Sequence, residues 1–216
     1  MINYREGLKK ILPRSLLIRS LKKEFCRNRS ILLTFDDGPH PEITLGVLDI
    51  LEEYSVEAIF FVVGKMVEKA PNILTEIIRR GHEIGNNSFI HNNHRPPSFL
   101  DNLKDIRKCQ DLIKKYTGES PRWLRPPLGH LSPSFLLISK LLSLNLINWS
   151  LGVQDWQCRT KKEAANAANA ILERVKAGDI ILLHDDNPSA IDILNIILPK
   201  LKDRGFVLDQ GIHALK

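Results

Sequence analysis

From residue 31 onward, short apolar runs alternate with longer amphipathic stretches, and this alternation constrains the fold more than any other feature of the chain. Runs at 31–35, 58–63, 83–86, 123–125, 146–149, 179–183 and 206–208 read as strands. Between them, 43–54, 72–80, 98–116, 133–144, 161–176 and 189–204 read as helices. The first shows a stripe of Ile43, Val47, Leu48, Ile50 and Leu51, while Gly81 and Gly118 close the second and third. Strands that are apolar on both faces and separated by helices imply parallel pairing under helical cover. At 216 residues the chain suits one large domain, and no internal repeat or low-complexity segment divides it.

The polar residues capable of chemistry follow the strands: Asp36-Asp37, Asn87 to His91, Arg125, Asp155 and His184. That placement predicts a distorted (β/α)7-8 barrel with its site at the C-terminal ends of the strands. An open doubly wound sheet is the alternative, but no Gly-rich phosphate turn follows the first strand. The sharpest local signal is Thr34-Phe35-Asp36-Asp37-Gly38-Pro39, where an apolar run stops in two carboxylates and Gly38-Pro39 turns the chain away. Adjacent side chains in an extended segment face opposite ways, but a turn at the last residue re-aims one of them. One Asp could then bind a metal while its neighbour handles a proton. Taken alone, the same residues also make an ordinary surface turn.

The formal charge of +6 belongs to the leader. Residues 1–30 carry nine Lys or Arg against Glu6 and Glu24, so the remainder sums to −1. Beyond the leader no basic stripe with interleaved aromatics argues for nucleic acid. Ile11, Leu12, Leu16, Leu17, Ile18 and Leu21 are interrupted by Arg14, Arg19, Lys22 and Lys23, too often for a secretory core or a membrane span. We expect residues 1–30 to form a basic helical segment ahead of a domain at 31–216. Its helix either packs across the domain or makes peripheral contact with an anionic membrane. Cys26, Cys109 and Cys158 are odd in number and widely spaced, which argues for free thiols in a reducing compartment. The expected location is cytoplasmic, with membrane association through the leader as a variant.

Five separated motifs occur in one order: Thr34-Phe35-Asp36-Asp37-Gly38-Pro39; Gly81-His82-Glu83-Ile84-Gly85-Asn86-Asn87-Ser88-Phe89-Ile90-His91; Arg125-Pro126-Pro127-Leu128-Gly129; Asp155-Trp156; and Leu182-Leu183-His184-Asp185. Together they resemble the polysaccharide deacetylases of carbohydrate esterase family 4. The resemblance implies a hydrolase that uses a divalent metal to remove the N-acetyl group of an amino sugar such as N-acetylglucosamine, cleaving a linear amide C–N bond. By the same resemblance Asp36 is the base and His184 the acid. Arg125 pairs with the base and Asp155 orients the acid. Asp37, Asn87 and His91 hold the metal, Leu128 offers its backbone N–H to the oxyanion, and Trp156 and Leu182 wall the acetyl pocket.

Two positions depart from the family pattern. Asn87 stands where a first metal histidine is usual, and Leu128 where an aromatic ring is common. An amide oxygen is a neutral, harder donor than imidazole, so zinc should bind less tightly and harder ions compete better; zinc is the metal expected, with cobalt, manganese or nickel as alternatives. His94, three residues after His91, is an alternative ligand. His82 reads as a structural hydrogen-bonder, His40 as a rim or turn residue, and His130 as solvent-exposed. His213 carries no assignment, Trp123 and Trp149 read as core, and a reactive role for Cys158 has no support. Two other functions compete with the deacetylase: a metal-deficient carbohydrate-binding pseudoenzyme, and a deacylase of a different sugar acyl group, an O-acetyl ester or a formamide. The substrate that the resemblance implies is an N-acetylated oligosaccharide, polysaccharide or lipid-linked precursor.

Overall fold

The computed structural model describes residues 12–91 and 98–215. Seven strands, β1 (Leu32–Asp36), β2 (Ala58–Val62), β3 (Glu83–Asn86), β4 (Trp123–Leu124), β5 (Asn145–Leu146), β6 (Leu151–Gly152) and β7 (Ile180–His184), form one sheet in the order β5-β4-β3-β2-β1-β7-β6. Every pairing is parallel. Eight helices are described: α1 (Lys23–Arg27), α2 (Ile43–Glu53), α3 (Gly64–Lys69), α4 (Pro71–Arg79), α5 (Phe99–Thr117), α6 (Pro133–Leu141), α7 (Lys161–Arg174) and α8 (Ser189–Asp203).

The sheet has to curl. Strands β5 and β6 lie at its opposite edges, yet only residues 147–150 separate them. Seven flat strands would span about 29 Å, while the chain from Leu146 to Leu151 reaches about 18 Å at most. The result is an incomplete barrel in a single domain, as the strand–helix alternation predicts. The seam is bridged by the leader. Ile18 N–H donates to Leu146 O (2.9 Å) and Asn148 N–H to Ile18 O (2.8 Å), and Leu21 N–H then reaches Gly178 O (2.8 Å) just before β7.

Strand side chains alternate between two cores. Leu32, Ile59, Phe61, Trp123, Ile147 and Ile180 fill the barrel interior with Ile18 and Leu21 of the leader and Ile212, Ala214 and Leu215 of the C-terminus. Leu33, Phe35, Phe60, Val62, Ile181 and Leu183 face outward against the apolar faces of α2 and α8, including Val47, Leu51, Leu194 and Leu198. Burial on both faces is the physical origin of the unbroken apolar runs.

The expectation of a helical leader is corrected over its described part. Only Lys23–Arg27 is helical, and 12–22 is turn and single bridges. Backbone groups that a helix would use internally pair instead with Leu146, Asn148 and Gly178, and Leu17, Ile18 and Leu21 are buried. Residues 1–11 lie outside the described residues. The expected strand at 206–208 reduces to one bridge, Ser30 to Val207, because β2 and β7 already occupy both edges of β1. The run 146–149 ends as β5 and crosses the seam to β6, and helix α3 has no counterpart in the sequence reading.

Candidate active site

Parallel strands all point their C-terminal ends the same way, and the alternation that puts Leu32 and Ile180 inside the barrel also aims Asp36 and His184 there. These two are register partners at the last pair of β1 and β7. Arg125, one residue past β4, is fixed by its N–H to Asn86 O (3.0 Å) and reaches across the interior. Its Nη1 donates to Asp36 Oδ1 (2.6 Å) and to Thr34 Oγ1 (3.0 Å), with the guanidinium 4.0 Å from the Phe61 ring centroid. Arg125 is fully buried and Asp36 only 6% exposed. Burial pushes the Asp36 carboxyl above its ordinary range, and the charges of Arg125 and His184 pull against that shift.

His184 is tied to Asp155 twice. Its backbone N–H donates to Asp155 Oδ2 (2.7 Å), and its Nδ1 lies 2.9 Å from Asp155 Oδ1. Nε2 is left as the ring nitrogen available to a ligand. Burial works to lower the imidazole pKa, but the Asp155 hydrogen bond and the charges of Asp155, Asp36 and Asp37 outweigh it and raise it to about 9. Asp155 is itself placed by the turn after β6, where Ser189 Oγ donates to its carbonyl (2.9 Å).

Asp37, Asn87 and His91 also come together. His91 Nε2 stands 3.4 Å from Asp37 Oδ1, and Asn87 Nδ2 stands 3.5 Å from the same oxygen. Asn87 is fully buried, and its Oδ1 has no hydrogen-bond partner. Donor atoms about 2.1 Å from a tetrahedral ion lie about 3.4 Å from one another, so the spacing fits a small cation. A half-turn of the Asn87 amide would bring its orphaned oxygen into the set. Among the described residues, no three His, Cys, Asp or Glu side chains form such a group; the amide is the third member. Burial raises the Asp37 carboxyl to about 6, with His184 opposing and Asp186 and Asp155 adding to the shift.

These residues line a cleft of about 540 Å³ whose walls include Leu128, Trp156 and Leu182. The Trp156 ring meets His184 edge-on at 4.9 Å. Leu128 and Trp156 are 48% and 42% exposed, unusual for large apolar side chains and apt for a sugar face. Asp37 (φ 73°), His91 (φ 53°) and Leu128 (φ 55°) all adopt the left-handed backbone that L residues seldom take, a concentration characteristic of functional loops. At Gly38 a Cβ would lie 2.2 Å from an Asp185 oxygen, so the turn after the Asp pair needs glycine. Asp185 in turn accepts from Thr44 Oγ1 (2.6 Å).

The remaining histidines separate cleanly. His82 Nδ1 accepts the Ala58 N–H (3.3 Å) and its ring packs edge-on to Phe60, a structural role. His40 Nδ1 accepts the N–H groups of Glu42 and Ile43 at the start of α2, as a turn residue would. His130 is exposed, His213 sits in the final turn, and His94 lies outside the described residues. Trp149, read from sequence as core, is half-buried and lines the cleft, as do Gln154 and Asp186, which the sequence reading did not single out. The position of Asp186, two residues past His184, was the signal available for it.

The family profile described as polysaccharide deacetylase matches residues 25–147. The chain is 34% identical over 178 residues to the peptidoglycan-N-acetylmuramic acid deacetylase PdaC of Bacillus subtilis, covering 82% of this chain and 37% of that protein. It is 32% identical to a chitooligosaccharide deacetylase of Azorhizobium caulinodans, covering 83% of this chain and 91% of that one. The solved PdaC structure superposes with a TM-score of 0.78 at 32% identity over 88% of this chain and 92% of the other. The chain thus spans about two fifths of the length of full PdaC. With this profile match and relatives of this similarity, the chain belongs to the polysaccharide deacetylase family, carbohydrate esterase family 4.

Proposed function

We propose that this chain hydrolyses the N-acetyl amide of an amino sugar within a peptidoglycan-like or chitooligosaccharide-like chain, with Asp36 as base and His184 as acid. The observation that carries this reading is the register pair itself. Asp36 and His184 face one cleft, and each is held by its own oppositely charged partner, Arg125 and Asp155. A binding protein has no need of two proton-handling groups tuned apart in this way.

Asp37, His91 and Asn87 would hold a divalent ion, zinc or in its place cobalt, manganese or nickel, whose chemistry is to polarise the amide carbonyl and acidify a water. Asp36 accepts the proton of the attacking water, and the Arg125 charge favours its ionised form. Asp155 holds Nδ1 of His184, so the proton for the leaving nitrogen is delivered from Nε2. The Leu128 N–H is offered to the oxyanion, and Trp156 and Leu182 flank the acetyl group. Membrane contact by residues 1–30 would rest on their positive charge, since Leu17, Ile18 and Leu21 are spent on the core. Three unpaired thiols suit a cytoplasmic setting, which would favour a chitooligosaccharide-like or lipid-linked substrate over assembled peptidoglycan. Among the described residues no helix is long and apolar enough to cross a membrane.

The test is acetate release from chitooligosaccharides with zinc, cobalt, manganese or nickel added back. The reading requires metal-dependent release that Asp36→Asn and His184→Ala each abolish. Asn87, a neutral donor, favours one competing reading, a carbohydrate-binding pseudoenzyme. Saccharide binding without acetate release under any metal would establish that one instead, and release from O-acetyl or formyl sugars alone would reassign the acyl group.

A further inference from the structure

The segment that carries Asn87 and His91 is held amide by amide. Asn87 N–H donates to Val62 O (3.0 Å), Ser88 N–H to Asn86 Oδ1 (2.8 Å) and His91 N–H to Ser88 Oγ (3.0 Å). The two amides between them go to one carboxylate: Phe89 N–H to Asp105 Oδ2 (3.0 Å) and Ile90 N–H to Asp105 Oδ1 (3.1 Å). On the opposite side, the carbonyls of Ser88 and Phe89 accept from Gly64 N–H (3.0 Å) and Lys65 N–H (2.9 Å) at the start of α3. Ser88 and His91 both have positive φ, 71° and 53°. Such a backbone persists only where its surroundings over-determine it.

Among these acceptors Asp105 is the side chain that reaches in from a separate helix. It lies two turns into α5, whose start is fixed by reciprocal bonds between Ser98 and Asp101. The helix is also seated on the strand that leads into the segment, through Asn86 Nδ2 to Ile106 O (2.9 Å). Lys108, on the next turn, covers the Phe89 ring at 3.5 Å. A carboxylate is acceptor-only with two oxygens, so it can take two successive N–H groups in charge-assisted bonds; an amide of the same shape offers one oxygen. Asp105 does not line the cleft, so it acts on the site from behind, through the backbone it holds and through its charge on His91.

We propose that Asp105 is a positioning residue: by clamping the Phe89 and Ile90 amides it keeps His91 Nε2 beside Asp37 and so sets the affinity of the cation site. This rests on the reading of His91 as a ligand. Side chains bonded to a metal ligand typically tune its affinity 10–100-fold; Asp105 holds the backbone beside His91, and an effect of that order is expected.

The test compares Asp105→Ala, Asp105→Asn, Asp101→Ala and His91→Ala with the unaltered protein. Two quantities are read: zinc affinity, by competition with a chromogenic chelator, and hydrogen exchange at the Phe89 and Ile90 amides, by NMR without metal. Asp105→Ala should weaken zinc binding roughly 10–100-fold and speed exchange at both amides, with Asp105→Asn in between because one acceptor oxygen survives. Asp101→Ala, which uncaps the same helix, should lower thermal stability and leave both readouts unchanged; a fall in zinc affinity there equal to that of Asp105→Ala would reduce Asp105 to a helix-stability effect. Unchanged zinc affinity in Asp105→Ala, where His91→Ala loses it, overturns the proposal. If His91→Ala binds zinc like the unaltered protein, the ligand reading has failed, and the exchange rates alone decide whether Asp105 holds the segment. Should Asp105→Ala not fold, the near-isosteric Asp105→Asn carries both readouts.

Discussion

Arg125 Nη1 and Asp36 Oδ1 meet at 2.6 Å inside the barrel, the cation fully buried and stacked above Phe61. Arg125 has no water to fall back on and Asp36 meets it only at the cleft, so each depends on the other. Removing one partner of a buried pair costs about 3–5 kcal/mol, chiefly from the charge left behind. Arg125→Met and Asp36→Leu should each lower stability by that order in chemical denaturation. The double variant should recover a large part of the loss, while acetate release stays absent in all three. Additive losses in the double variant would show that the two charges are not coupled.

His184, raised to about 9 by Asp155, sets an alkaline limit. Its folded pKa exceeds the unfolded value near 6.5, so its contribution to stability is fully present below 6.5 and is lost as pH rises through 9. The alkaline limb of acetate release should fall near the same pH. Asp155→Asn removes the charge and leaves one acceptor oxygen for the two His184 N–H groups, so the limb should move toward neutrality and the rate should drop. A pH–rate profile and an NMR titration of the His184 ring check the two effects separately.

His82 predicts the acid side of the stability curve. Burial, helped by the Arg80 charge, lowers it to about 4. Between 6.5 and 4 the unfolded chain binds a proton that the folded chain refuses, so stability is held above 6.5 and lost as pH falls through that window. His82→Leu should flatten the loss while lowering the plateau, because the Ala58 N–H loses its acceptor. Urea midpoints at pH 7, 5.5 and 4.5 measure it.

If Asn87, Asp37 and His91 hold a metal as proposed, the orphaned Asn87 oxygen is the donor whose replacement should move its affinity most. Asn87→His supplies an imidazole beside Asp37 and should tighten zinc at least about tenfold, or about 1.4 kcal/mol. Asn87→Leu should weaken it. Calorimetric titration with zinc and manganese would also show whether histidine shifts the preference toward the softer ion.

Ile18 carries the leader into the barrel interior, while Leu17 is buried in a separate cluster with Leu124, Leu131 and Phe135 of α6. Truncating a buried leucine costs about 2–5 kcal/mol, so Leu17→Ala should destabilise the whole domain by that order in thermal unfolding. A leader merely tethered to the domain would leave the midpoint unmoved.

Much of this architecture is written along the chain. Strand–helix alternation specifies parallel strands under helices, since a run apolar on both faces has no other stable setting. The placement of Asp36, Arg125 and His184 at strand ends follows from the same periodicity, because each motif is local. What local pattern does not carry is pairing across the barrel. That the Asp36 carboxylate meets Arg125 while Asp155 meets His184, that residues 12–22 pair with β5 and the approach to β7 instead of coiling, and that Asp105 clamps the His91 segment all depend on the curl of the sheet. The curl follows from a short link between two edge strands, and it decides which distant groups share a low-dielectric interior. Sequence determined which side chains could do chemistry, and only the closed geometry decided which of them touch, because burial makes each charge seek whichever partner the fold brings within reach.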